Sequence, residues 1–295
     1  MSAVPRICWP WCGGSGQWSN RMGDNINVYG EHSESVGTSL IDVHGHFGRS
    51  AATGYTADAA ALLTAMDRYD ITTTLVMPQP DADRTTSEQV HAQILDAATR
   101  WPGRIAGIVN IDPRLREADY RQAAGALLAG AKFVAIKIHT HGFRVAPDED
   151  ACDKVFRLAA DHGVPVMIHT GLGGPHTLPH RALAPASRYP AVPTVLCHAG
   201  FGAFCGEAIE VAHARPNVYL EPSWCPAFSV RQMVRRLGAH RVMFGSDHIE
   251  NIPVELAKFD AVRLTPAERR QVFAATAAAV FPLTPVTEAR PEVPA

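Results

Sequence analysis

Two histidines stand one residue apart in the run Ile41-Asp42-Val43-His44-Gly45-His46. Side chains two apart on a strand share a face, so both imidazoles can point the same way, with Gly45 leaving room between them. Three other short apolar runs also end in residues that can bind a metal or move a proton. They are Val166-Met167-Ile168-His169, Val195-Leu196-Cys197-His198 and Val242-Met243-Phe244-Gly245-Ser246-Asp247. The chain holds 14 histidines, and histidine is both the commonest metal ligand and the side chain that titrates near neutral pH. A lone buried histidine is more often a hydrogen-bonded core residue than a ligand, and an H-x-H pair recurs by chance. Four runs that each close on such a residue are a stronger signal. His44, His46, His169 and Asp247 can together make a nitrogen and oxygen shell for one divalent metal. Zinc is the first choice, with manganese and iron as alternatives.

The elements that must carry these residues follow from the apolar pattern. Strand-like runs fall at 39–43, 72–77, 105–111, 133–138, 165–169, 194–198, 218–221 and 242–245. Helical segments alternate with them, near 57–69, 87–101, 115–129, 149–162, 201–214, 228–238 and 253–262. A last helix is expected over 266–280, because Thr265-Pro266-Ala267-Glu268 is a capping-box pattern with proline in the first turn. Eight buried-type strands alternating with helices predict an α/β fold with a parallel sheet. The 39–281 span fits a single-domain (β/α)8 TIM barrel, which typically takes ~250 residues. In that barrel every residue singled out lies at a carboxyl strand end, the catalytic face. An open, doubly wound sheet is the runner-up, but no G-x-G-x-x-G follows the first strand. Residues 1–38, rich in Gly, Ser and Asn despite Trp9, Trp11 and Trp18, read as an irregular N-terminal tail, and 282–295, with its prolines, as a C-terminal one.

Composition narrows the class of partner. The chain has 295 residues and a formal net charge of -2, which carries neither a nucleic-acid footprint nor a polybasic membrane patch. No apolar run approaches a membrane span, and no secretory leader is visible. The six cysteines, at 8, 12, 152, 197, 205 and 225, are scattered and read as free thiols of a cytoplasmic protein. Cys8 and Cys12 have metal-site spacing but no second pair to complete a zinc finger.

The quoted pieces IDVHGHFG, GVPVMIHTG, VLCHAGF and RVMFGSDH resemble the amidohydrolase superfamily, in its amidohydrolase-related (Amidohydro_2) branch. FVAIKIHTHGFRVAPDEDACDKVF and PAERRQVFAATAAAVF look like that branch's fourth strand with its helix, and its terminal helix. Thr276 stands where the family commonly has Asn. The resemblance implies a single-metal site with His44, His46, His169 and Asp247 as ligands. It also implies that His198 contacts the metal's water or the substrate, and it allows a homodimer. Other branches bridge two metals with a carbamylated lysine on the fourth strand, where Lys137 lies. A buried lysine closing ion pairs is the plainer reading of that residue.

Roles follow from this chemistry. The metal would activate water and polarise a substrate oxygen. Asp247 would carry the proton, and His198 would orient the water or stabilise developing charge. Asp42 would point away from the ligands and be structural. His139, His141, Arg144, His176, His180, Arg181, Trp224 and His248 fall in or near loops that shape pockets. Lys137 and Arg144 are the candidate substrate-binding residues, Arg144 because its guanidinium offers a fork to a carboxylate. The expected function is hydrolysis of a small organic substrate, such as a carboxylated amide, ester or lactone. The alternatives are a non-oxidative decarboxylase or a hydratase of the same family, and third, an inactive metal-binding barrel.

Overall fold

The computed structural model describes residues 39–81 and 83–285. The two tryptophan- and proline-marked tails, and Cys8 with Cys12, therefore lie outside the described residues, apart from 282–285.

The strands are β1 (Leu40–Arg49), β2 (Thr56–Ala57), β3 (Ile71–Pro78), β4 (Ile105–Val109), β5 (Phe133–Ile138), β6 (Val166–His169), β7 (Thr194–Cys197) and β8 (Val218–Glu221). They form one sheet in the order β2-β1-β3-β4-β5-β6-β7-β8. The short β2 pairs antiparallel with β1, and every other pairing is parallel. The helices are α1 (Ala59–Arg68), α2 (Arg84–Arg100), α3 (Glu117–Leu128), α4 (Thr140–Phe143), α5 (Asp150–His162), α6 (Leu183–Arg188), α7 (Cys205–Ala214), α8 (Ala227–Leu237), α9 (Ile252–Val262), α10 (Pro266–Arg270) and α11 (Thr276–Val280). None is long and apolar enough to cross a membrane among the described residues.

Both sheet faces are buried, which is why the strands read as near-continuous apolar runs. Alternate residues go to opposite sides. Ile41, Val43, Leu75, Met77, Met167, Val195 and Met243 share an inner cluster, whereas Val76, Ile136, Ile168, Leu196 and Phe244 join the larger cluster under the helices. Val280 and Phe281 belong to the inner cluster too, and Leu283 packs against it.

The run expected as the last strand behaves differently. Residues 242–247 sit between β8 and β1, with single parallel bridges Leu220↔Val242 and Gly45↔Asp247. Met243 N donates to Leu220 O at 3.0 Å, Val43 N to Phe244 O at 3.1 Å, and Asp247 N to His44 O at 2.7 Å. The sheet therefore curls until both of its edges are joined through this segment. It is no regular strand because two of its amides are diverted. Phe244 N bonds Val272 O at 3.1 Å, and Ser246 N bonds the Asp42 carboxylate at 3.0 Å.

The last helix is also more broken than its pattern suggests. The capping box at Thr265 forms as expected. Gln271–Ala275 then widens into a π-turn before α11. Gln271 Nε2 donates to Thr276 Oγ1 at 3.1 Å across that turn, and Thr276 Oγ1 donates to Ala239 O at 3.2 Å. Thr276 thus ties the helix to the turn before residue 242.

Candidate active site

His44 and His46 lie on β1 and are buried. Each ring is fixed through its Nδ1. His44 Nδ1 meets Glu221 Oε2 at 2.7 Å, and His46 Nδ1 meets the Pro78 carbonyl at 3.3 Å. A carboxylate and a carbonyl only accept, so in each neutral imidazole the proton sits on Nδ1 and Nε2 presents a bare lone pair. Both Nε2 atoms face Asp247 Oδ1, at 3.4 Å from His44 and 3.3 Å from His46. Three electron-pair donors thus converge with all their atoms within 4.8 Å of one another. Such an arrangement calls for a positive charge among them: Lys137 Nζ stands 3.2 Å from His44 Nε2, and the three donors also suit a metal cation.

The electrostatics bear on which. Burial, then Lys137, push His44 well below the ordinary imidazole range. Burial likewise pushes His169 down, helped by His198 and Lys137, and takes His198 to about 3. Buried neutral imidazoles around a carboxylate are the donor set of a cation site. His169 Nδ1, moreover, is buried without a hydrogen-bond partner among the described residues. These residues fit a divalent metal.

The carboxyl ends of the strands position this set. Asp42 accepts from His44 N at 3.1 Å and from Ser246 Oγ at 2.5 Å, so it fastens both sides of the cluster, in keeping with its structural reading. Gly245 is needed because Glu221 lies across it. A Cβ there would stand 2.7 Å from Glu221 Cδ.

His198 follows β7 with φ 61. Its ring centroid is 4.9 Å from that of His44 and 4.8 Å from that of His169. His198 Nδ1 meets Ser223 Oγ at 2.8 Å, and Ser223 Oγ donates to Glu221 Oε2 at 3.1 Å. The serine proton is committed to Glu221, so Ser223 accepts from His198 Nδ1 and leaves His198 Nε2 as an acceptor. Trp224 Nε1 donates to Asp247 Oδ2 at 2.8 Å. That occupies the carboxylate oxygen other than the one His44 and His46 face.

The residues singled out from sequence divide accordingly. His44, His46 and Asp247 come together. His169 is buried beside His198 but outside the tight group. Its ring stacks on His139 with centroids 4.7 Å apart, and its Nε2 meets Leu172 O at 3.2 Å. Lys137 is inside the cluster, with Nζ 3.2 Å from His44 Nε2. Arg144 ends α4 with φ 50 and an exposed side chain, and no hydrogen bond or ion pair among the described residues directs it inward. His248 stacks on Tyr55 with centroids 4.1 Å apart and lies beside His46. His180 and Arg181 are drawn off by Glu207 and Asp148. Sequence reasoning missed Glu221 and Ser223. The signal for Glu221 was available, since it ends β8 as His169 ends β6.

Known proteins resemble this chain in sequence family and in fold. The family described as Amidohydrolase matches residues 41–283. Among solved structures, a "probable 2-pyrone-4,6-dicarboxylic acid hydrolase" from Acinetobacter baumannii with citric acid bound is similar at TM-score 0.62 and 13% identity, covering 82% of this chain and 98% of that one. The 5-carboxyvanillate decarboxylase of Novosphingobium aromaticivorans, complexed with manganese and a nitrobenzoic acid, has TM-score 0.62 and 16% identity, covering 82% and 96%. The 2,6-dihydroxybenzoate decarboxylase from Rhizobium has TM-score 0.64 and 14% identity, covering 82% and 98%. No curated protein matches the chain.

Proposed function

The chain belongs to the amidohydrolase family, and from that premise we propose a metal-dependent hydrolase of a small, carboxylated organic substrate. Its fold is read as a (β/α)8 barrel completed by residues 242–247, with 39–281 as the barrel domain. One divalent cation, zinc first, would be held by His44, His46, His169 and Asp247. The observation that carries this reading is the convergence of two imidazole lone pairs and the Asp247 carboxylate on one point. When bound, the cation supplies Lewis acidity to water and to a substrate oxygen.

The side chains do the rest. Asp247, as a carboxylate, takes the proton of the attacking water and returns it to the leaving group. His198 Nε2, left as an acceptor by the Ser223 and Glu221 relay, holds that water by its hydrogen. Lys137 has no carboxylate partner among the described residues, and its amine serves an anionic group of the substrate. Arg144 remains a candidate at the rim.

A carboxylate beside the converging imidazoles can accept a proton from water before it gives one, which favours hydrolysis. Loss of carbon dioxide from a carboxylic acid is the second reading, because a buried amine with no carboxylate partner among the described residues suits the seating of a carboxylate. The test is a screen of metal-replete enzyme against small carboxylated lactones, esters, amides and aromatic acids, following acid release and carbon dioxide together. Acid release without carbon dioxide is expected, and Asp247→Asn should abolish most of it even with metal in excess. Carbon dioxide as the sole product would replace the hydrolytic reading with the second one.

A further inference from the structure

Two thiols face each other between the loops that flank the site. Cys205 Sγ and Cys225 Sγ are 3.4 Å apart. Both residues are nearly buried, at 4% and 3% exposure, and neither is in a disulfide. Cys205 opens α7, and Cys225 lies between β8 and α8. Cys225 Sγ also donates to His198 O at 2.9 Å. That carbonyl belongs to a turn in which His198, Ala199 and Phe201 have φ 61, 38 and 52. On the other side, Cys225 follows Trp224, which has φ 63 and bonds Asp247 through its indole. The pair therefore joins two loops whose backbones sit in the left-handed region, one bearing His198 and the other Trp224.

We propose that Cys205 and Cys225 form a reversible disulfide on exposure to a peroxide, and that closing it disables the site. Cys205 is the attacking sulfur. It stands at the amino end of a helix, where a thiolate is favoured. Its own hydrogen points at Cys225 Sγ, whose hydrogen is given to His198 O, so the two sulfurs are already aligned. The other buried thiols, Cys152 and Cys197, are pushed up to about 12 by burial. The Cys205 thiolate attacks one peroxide oxygen, the O–O bond breaks, and a sulfenic acid forms as hydroxide leaves. The Cys225 sulfur then attacks the Cys205 sulfur. The S–S bond forms, the S–O bond breaks and water departs. Two thiol protons and two electrons have passed to the peroxide, giving two waters.

The consequence for the site is geometric. A disulfide requires sulfurs ~2.05 Å apart, so the two must close by roughly 1.3 Å. Cys225 also loses the hydrogen it gives to His198 O. Both strained loops must shift, carrying His198 and Trp224 with them.

The test uses the full-length chain treated with stoichiometric hydrogen peroxide, blocked with iodoacetamide and mapped without reduction. A linked Cys205–Cys225 peptide, lighter by two hydrogens, is expected, with turnover lost in step and restored by dithiothreitol. The linkage is read by mass alone and does not depend on the reaction proposed above. Cys205→Ser should keep basal turnover and resist peroxide, with Cys205→Ala as the second variant should the first fold poorly. Absence of the linked peptide would overturn the proposal. So would equal peroxide sensitivity in wild type and the Cys205 variants.

Discussion

At the scale of single residues, the proposed ligands are distinct from the groups that would aim them. His198 makes no approach to Asp247 Oδ1 of the kind His44 and His46 make. Its Nδ1 is committed to Ser223. His198→Ala should therefore retain metal, measured as bound cation per chain, while turnover falls by roughly a hundredfold or more. Metal loss in that variant would make His198 a ligand. Glu221 works through His44, fixing the ring so that Nε2 faces inward. Glu221→Gln should keep the circular dichroism of the wild type but bind zinc about 10–100-fold more weakly in a competition titration, the usual scale for an orienting partner of a ligand. Wild-type affinity would show that His44 needs no such partner. His44, His46 and Asp247 were legible because each closes an apolar run. Glu221 was harder to see because its partner is 177 positions away, and because a lone glutamate at a strand end resembles a solvated one. Arg144 shows the opposite limit. Residue type alone named it, and its exposed place at the end of α4 gives that choice no contact to rest on.

At the scale of elements, the parallel strands were readable because burial on both faces writes them as apolar runs. The capping box of α10 was readable because it is local. What could not be read depends on distant partners. The amides of 244 and 246 leave the ladder for Val272 and Asp42, and no local pattern announces that. The attachment of α2 to β4 is similar. His91 is buried on α2, with Nδ1 donating to Ser87 O at 2.8 Å and Nε2 accepting from Asn110 N at 3.1 Å. Burial pushes it from 6.5 down to about 4. The unfolded chain then binds this proton more readily, so the stabilisation is fully present above pH 6.5 and is lost as pH falls toward 4. Between pH 7 and 5 the loss from this one group should be about 2 kcal/mol. In urea unfolding of metal-saturated protein, the stability gap between wild type and His91→Gln should narrow by that amount over the interval. A constant gap would mean that His91 is not held neutral. The other histidines are common to both proteins and cancel.

At the scale of the whole molecule, the sheet meets itself along 242–247, and that junction is thin. Single bridges join it to β8 and to β1, while its remaining amides serve other partners. The convergent donors straddle the same line, with His44 and His46 on one side and Asp247 on the other. A cation held between them would act as a clasp on the seam, so binding energy there would also be closure energy. The metal-free chain should consequently breathe along this line, opening locally well below the cost of global unfolding. Hydrogen–deuterium exchange can see this directly. On zinc loading, the amides of Val43, Met243 and Asp247, which bond across the junction, should slow far more than those of β5 or β6 on the opposite wall. Uniform slowing around the sheet would mean that the metal steadies the fold without fastening its edges. If the clasp holds, a cell that starves this protein of metal loses more than a reagent: it loosens the join that makes one closed sheet out of two edges.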